Sequence, residues 1–303
     1  MNSRADSTVR KYVGAFDRWK RWADGKVGIQ TFLVIPLQFA LYLQHISVHS
    51  QSKAAVEEAV NALSWINQSV GSQPVALEPF IKTVLAGLQR LLAKPRRKKE
   101  PKTPAMLKGL VDAAGSSPSL SEARTVAIAL VAFSTFLKVD EVASLCCCDV
   151  QFYPGHMVIK ILSSKTDQLR QGDEFVIRSH SASCPVTRLE QYFSLAAINP
   201  DSTEQLFRGI VHTRNGEKLG ELGSLNYTRI RELLQAKLQS LGYDPALFST
   251  HSFRAGGATL AANRVVQDWM FKRHGQWRSE TAKDGYVKDS MEARLGVSKK
   301  LGL

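Results

Sequence analysis

The spacing of apolar residues gives the chain distinct textures. Over the first ninety residues it is helical. Val9, Tyr12, Val13, Phe16 and Trp19 recur at the i, i+3, i+4, i+7 intervals of one helix face, with Ser7 or Thr8 as candidate caps. Segments near 36–48, 53–68 and 78–93 repeat the pattern, and Val56, Val60 and Leu63 form an apolar stripe on the third of these helices. The expectation is a bundle of about four helices. A second helical region starts at Thr103-Pro104, a capping residue followed by proline at the first helical position. It predicts helices over 104–114 and 121–135 and a short one over 139–146. The pattern then changes to β-rich runs near 150–153, 156–162 and 173–178. These are separated by Pro154-Gly155 and by a polar turn containing Gly172, which predicts a small antiparallel sheet. From Pro185 onward the chain reads as mainly helical. The fold class expected is therefore mainly α with a small antiparallel β-sheet.

Between the two helical regions lies KPRRKKEPK, residues 94–102. Proline at both ends and dense like charge oppose packing, so the run predicts a linker between a domain at 1–93 and a domain at 103–303. A chain of 303 residues fits two domains. Lys and Arg number 40 against 27 Asp and Glu, a net charge of +13, and that excess points to a polyanion, with nucleic acid the first candidate. Arg96, Arg97, Lys98, Lys99 and Lys102 are accordingly candidate phosphate contacts; a solvated tether or a nuclear-localisation patch would use the same residues. No apolar run reaches the ~18 residues of a membrane span, and MNSRADSTVRKYV lacks a signal-peptide core. The expected location is intracellular, nuclear in a eukaryote or cytoplasmic in a bacterium, with no membrane partner. Cys146, Cys147 and Cys148 are adjacent and Cys184 stands apart, which is not the spacing of metal ligands. They read as reduced thiols, and no metal site is expected.

The densest chemistry lies in HSFRAGGATLAANRVVQDWMFKRHGQWRSETAKDGY, residues 251–286. Phosphoryl transfer without a metal needs a nucleophile, cations around the nonbridging oxygens, and a proton donor for the leaving oxygen. A tyrosine such as Tyr286 can attack and form a phosphotyrosine. Arg254 offers a planar fork for two phosphate oxygens, and His251, on the same helix face, can move a proton or donate a hydrogen bond. The Trp277 indole N–H is a donor only and suits a phosphate oxygen. Each residue alone has a plainer reading: a helix tyrosine in core or surface, an H-x-x-R cap or ion pair, a core tryptophan. No acidic cluster of the DxD or DDE kind is apparent, which favours a cation-only mechanism.

HSFRAGG followed by HGQWRSETAKDGYV resembles the C-terminal half of the tyrosine recombinase (phage integrase) family. That family includes Xer and Cre recombinases, lambda-type integrases, and the recombinases of DIRS and Crypton elements. SKTDQLRQG and the GYVKDS ending are similar in wording to the mobile-element branch. The resemblance covers the whole chain, closely in residues 136–165 and 251–286 and only architecturally in the N-terminal half. It implies a helical, SAM-like core-binding domain, the basic linker, and an α+β catalytic domain. It also implies site-specific cutting and rejoining of double-stranded DNA through a 3′-phosphotyrosyl link, without metal, ATP or other cofactor, in a homotetramer on DNA. Residue by residue, Tyr286 matches the nucleophile, His251 and Arg254 the H-x-x-R pair, and Trp277 the position filled by His or Trp. Lys165 matches the β-hairpin lysine that protonates the departing 5′ oxygen, and Glu141 the carboxylate supporting the first arginine. That arginine is replaced here: after Leu137 the chain has Lys138. Lysine keeps the charge and loses the bidentate fork. A catalytically impaired, recombinase-derived DNA-binding protein is therefore the alternative expectation. A type IB topoisomerase would share the chemistry but act as a monomer, and the motif residues argue against a merely basic helical scaffold. Relatives pass a C-terminal segment to a neighbouring protomer; Leu295, Val297 and Leu301 could dock that way, or fold back in cis.

Overall fold

The computed structural model describes residues 5–95, 98–161, 172–181, 184–264 and 266–302. The chain divides into two compact units, residues 1–97 and 98–303.

The first unit is built on four helices: α1 (Asp6–Asp24), α2 (Pro36–Ser50), α3 (Lys53–Ser69) and α4 (Pro79–Leu91). Proline opens α2 and α4 at the first turn, where its missing N–H costs nothing. Ser52 caps α3 by accepting from Ala55 N. Trp19, Phe39, Leu43, Leu63 and Ile81 are fully buried and form the centre of this core. The Trp19 indole N–H donates to Thr31 O at 3.0 Å, so the ring is buried with its one polar atom satisfied.

The second unit is organised around α6 (Leu120–Ser134). Its sequence, LSEARTVAIALVAFS, is apolar on nearly every side, the mark of a helix enclosed by others. Ser119 and Glu122 close its N-terminus as a capping box. Around it lie α5 (Pro104–Ala114), the short α7 (Val139–Ala143), and an antiparallel sheet of β1 (Val150–Tyr153), β2 (His156–Ile161) and β3 (Asp173–Arg178), in the order β1-β2-β3. Met157 pairs with Ile177 and Ile159 with Phe175, so alternate residues of β2 and β3 enter the core. The chain continues through α8 (Pro185–Leu195), β4 (Arg208–Thr213), β5 (Gly216–Ser224), α9 (Tyr227–Ser240), α10 (His251–Asn263), α11 (Asp268–His274), α12 (Glu280–Asp284) and α13 (Met291–Lys300). No helix among the described residues is long and apolar enough to cross a membrane.

Three features depart from the sequence reading. The helix expected over 139–146 stops at Ala143. The region after Pro185, expected to be mainly helical, contains the β4–β5 hairpin. Its strands were hidden because β5 holds three glycines and β4 shows no clean alternation of burial; the signal present was Asn215-Gly216, a hairpin-turn pair, with Gly216 at φ 112°. Polar bonds dock the hairpin: Glu217 accepts from Ser121 N and Oγ at 2.8 Å each, and Arg124 donates to Arg208 O at 2.7 Å.

The third departure concerns the basic run. The units divide between Arg97 and Lys98, and the residues after that point belong to the second core. Glu100 N donates to Leu247 O and Lys102 N to Ser252 O. Lys102, expected at DNA, is buried instead. Its ammonium donates to Ser249 O at 3.0 Å and lies 4.0 Å from the Phe253 ring centroid. The sequence reading counted its charge and could not see that α10 supplies an apolar slot for its stem. Burial pushes the Lys102 amine down to about 7. In the unfolded chain it stays near ~10.4, so between those values the unfolded state holds the extra proton and stability rises with pH. The penalty is fully present below the folded value. We expect wild-type stability to rise from pH 7 to pH 10 by up to about 1.4 kcal/mol per unit more than that of Lys102→Met. Urea unfolding of both proteins across that range measures the difference; parallel curves would show an ammonium that stays charged when buried.

Gly256 and Gly257 set how closely α10 approaches its neighbours. A Cβ on Gly256 would lie 2.1 Å from Lys102 O, and one on Gly257 would lie 2.2 Å from Phe133 O and 2.5 Å from the Phe136 ring. Both obstacles include backbone, which cannot swing away. Gly257→Ala is expected to cost at least about 3 kcal/mol, the upper end for overpacking. Urea unfolding of this variant provides the check, and a loss under about 1 kcal/mol would mean that α6 and α10 separate easily.

Candidate active site

The site grows from the close approach of α10 to the turn after α6. Arg254 lies one helical turn after His251 and is buried. One terminal nitrogen of its guanidinium donates to Phe136 O, and the other donates to Gly275 O at 2.5 Å. One acceptor sits at unusual backbone and the other directly precedes such a residue. Phe136 is left-handed with φ 55°, and Gly275 precedes Gln276, which has φ 54°. Strained non-glycine residues of this kind persist where surrounding structure holds them. Gly275 has a further reason to be glycine: its Cβ would come within 2.0 Å of the Trp277 ring.

The guanidinium carbon lies 5.0 Å from the ring centroids of both Trp277 and Tyr286, which are 5.7 Å from each other. Phe136, Phe271 and Trp277 form the apolar wall behind them. Two buried donors in this cluster, Arg254 Nε and Trp277 Nε1, have no hydrogen-bond partner among the described residues. A buried donor left unpaired costs about 1–3 kcal/mol, which is recovered when an acceptor arrives.

Tyr286 is half-buried, its ring 6.4 Å from the His251 ring. Thr259 holds the backbone around it: its hydroxyl faces Tyr286 O at 3.4 Å and accepts from Lys288 N at 3.1 Å. His251 reaches the surface, but packing around the ring pushes its pKa below the ordinary value. Arg254 and Lys138 push the same way, against Asp140 and Glu141. It is therefore mainly neutral at pH 7 and able to accept or donate a proton.

Lys138 occupies the cap position of α7. Its ammonium pairs with Glu141 Oε1 at 2.9 Å, while its backbone N–H donates to Glu141 Oε2 at 2.8 Å. Both oxygens of the nearly buried Glu141 are thus spent on residue 138. His274 stands apart from this group. It bonds Ser134 O through Nε2 at 2.7 Å and packs edge-on against Phe136 and Phe175. A carbonyl only accepts, so Nε2 carries the proton, and burial keeps the ring below its ordinary pKa. Its position is that of a structural strut.

No family model matches the chain. The chain is 24% identical over 298 residues to an integrase/recombinase xerD homolog of Selenomonas ruminantium, covering 94% of this chain and 82% of that one. Among solved structures, it is similar to the XerH site-specific recombinase bound to a palindromic difH substrate in a post-cleavage complex, with TM-score 0.64 and 12% identity over 92% of this chain and 75% of that one. The Tn1549 transposon integrase in complex with transposon right end DNA matches with TM-score 0.62 and 12% identity, over 100% of this chain and 96% of that one. A lambda integrase dimer bound to a COC′ core site matches with TM-score 0.59 and 15% identity, over 96% and 91%. The fold is that of the tyrosine recombinases.

Within this recombinase fold, the residues singled out from sequence divide clearly. His251, Arg254, Trp277 and Tyr286 come together, and Lys138 and Glu141 are paired with each other at the start of α7. Lys165, Arg96 and Arg97 lie outside the described residues. Lys98 and Lys99 are exposed, with the Lys99 ammonium donating to Ala246 O at 2.5 Å. Lys102 is removed from the set by its burial. Sequence reasoning missed Phe136, Gly275 and Thr259, which hold Arg254 and the Tyr286 segment. Only Gly275 left a trace in the sequence, as the glycine of HGQW. A carbonyl acceptor and a threonine hydroxyl leave none.

Proposed function

We propose that this protein is a site-specific DNA recombinase that cuts and rejoins duplex DNA through Tyr286. The observation that carries the reading is the cluster itself: the Tyr286 ring lies against the buried Arg254 guanidinium and beside Trp277, with two buried donors lacking acceptors among the described residues and the exposed His251 at the rim. Arg254 Nε and Trp277 Nε1 are buried without a partner among the described residues, and in this reading a scissile phosphate is the acceptor they lack.

In this reading Tyr286 attacks the scissile phosphorus, giving a 3′-phosphotyrosyl link and a free 5′-hydroxyl. The departing 5′ oxygen takes a proton, assigned to Lys165. His251 accepts the phenol proton or donates to a phosphate oxygen; a neutral imidazole at pH 7 is suited to either. Arg254 is already held by two carbonyls, so its charge is preorganised and needs no rearrangement as charge builds on the oxygens. Attack by a 5′-hydroxyl of another strand reverses the step. The bond energy is kept in the phosphotyrosine, so neither ATP nor a metal is called for. Exchange between two duplexes implies a homotetramer on DNA, and the exposed Leu295, Val297 and Leu301 of α13 and the turn after it are candidates for docking on a neighbour. Trapping protein on a nicked suicide duplex tests the reading: a covalent adduct supports it, and duplex binding without adduct favours the impaired DNA-binding protein. That second reading draws on the Lys138–Glu141 pair, which spends the lysine's charge on the protein.

The basic run supplies a further expectation. Neutralising Arg96, Arg97, Lys98 and Lys99 together should weaken binding to all duplexes alike. It should also flatten the slope of log affinity against log salt by about 0.9 for every phosphate that is no longer neutralised. Anisotropy titrations from low to moderate salt measure this, and an unchanged slope would make the run a tether only.

A further inference from the structure

A cavity of about 480 Å³ opens on the first unit between α1, α2 and α3. Arg18, Arg21, Trp22, Tyr42, His45 and His49 line it, together with small and aliphatic residues. Trp22 and Tyr42 stand with centroids 5.2 Å apart, Trp22 and His45 6.1 Å apart, and the His45 and His49 rings 4.0 Å apart. The rings are tilted to one another by 41–51°, and Tyr42 is buried, so the aromatic groups the cavity offers are chiefly Trp22, His45 and His49. The lining carries two arginines and no carboxylate. Arg18 pairs at 2.6 Å with Glu58, which also takes Lys11 at 3.0 Å, one carboxylate for two cations. Among the described residues, Arg21 bonds only a backbone carbonyl, Asp17 O. Lys26 adds a further cation 5.2 Å from the Trp22 ring centroid. Consistent with this positive field, the His45 pKa is held below its ordinary value by desolvation and by His49 and Lys26.

Aromatic walls beside uncompensated cations suit a planar ring that carries an anion. Aromatic side chains bind unpaired bases by their π faces, and arginines track the phosphates. A base inside a duplex offers no free face to such a wall. We propose that this cavity is a binding site for an unpaired nucleotide of a DNA strand, its base against Trp22 and His45 and its phosphate on Arg21 and His49. The volume lies within the range of pockets that enclose a small ligand. The site is separate from the Tyr286 cluster and does not depend on the strand-transfer reading.

The test uses the full chain and a fluorescein-labelled octathymidylate, read by anisotropy, with blunt duplex, deoxyadenosine monophosphate and inorganic phosphate as unlabelled competitors. Arg21 and His45 are exposed, so Arg21→Ala and His45→Ala leave the core intact, and their melting temperatures confirm it. Each variant is expected to bind octathymidylate about tenfold more weakly, the scale of one base stack or its phosphate anchor, with duplex affinity unchanged. Deoxyadenosine monophosphate should compete far better than phosphate. The proposal is overturned if octathymidylate fails to bind, or if both variants bind it as wild type does. Equal competition by phosphate would overturn it in favour of an anion site without base recognition. Parallel loss of duplex affinity would overturn it in favour of a duplex-binding face.

Discussion

Replacing Lys138 with arginine is expected to accelerate cleavage by about 10²-fold, the scale of one preorganised donor to a developing charge. In the structure the Lys138 ammonium is turned onto Glu141 Oε1, and Oε2 is taken by the residue's own N–H. A flexible ammonium must leave that partner, or share its hydrogens, to reach a phosphate. A guanidinium can keep one N–H on Glu141 and present others in a fixed plane. Ground-state binding, spread over many phosphates, should barely change, because the gain belongs to the transition state. Single-turnover cleavage of a suicide duplex, with affinity measured alongside, separates the two effects. If wild type already cleaves as fast as the arginine variant, this site has adapted to lysine. If neither cleaves, Lys138 is not the lesion and the DNA-binding reading gains.

Tyr286→Phe is expected to remove covalent adduct entirely while leaving duplex affinity within about twofold, since in the proposed complex the hydroxyl would be one small polar group beside many charged groups meeting phosphates. Stability should change little. Tyr286 is half-buried, its packing comes from the ring face against Arg254 and Trp277, and among the described residues no hydrogen bond to its hydroxyl holds the fold. The melting temperature of the variant provides the control. A large fall would show that the hydroxyl serves the core as well as the chemistry.

The helices of the first unit were legible because their apolar residues repeat at helical spacing around a single core, as from Val9 to Trp19. The three-stranded sheet was legible because β2 and β3 alternate cleanly between core and solvent. The β4–β5 hairpin was not, since polar bonds from Ser121 and Arg124 dock it and its strands carry few apolar residues. At the candidate site, the spacing of His251, Arg254, Trp277 and Tyr286 was enough to expect them together, and the fold does bring the four side chains together. What holds them could not be expected from spacing. Phe136 and Gly275 act through carbonyl oxygens, which every residue possesses, and the αL turn at Phe136 has no glycine to mark it. Lys102 shows the opposite error. Charge in a basic run was read as surface, whereas its backbone is hydrogen-bonded to α10 and draws the side chain inside.

The most direct test of the central claim is to map the covalent adduct. Wild-type protein is incubated with a nicked suicide duplex in the presence of a chelator, digested with protease, and the DNA-linked peptide is identified by mass. The account predicts a peptide containing Tyr286 joined to the 3′-phosphate side of the break, formed equally well with or without the chelator. A link to another residue, a 5′-phosphate attachment, or bound duplex that never becomes covalent would contradict it.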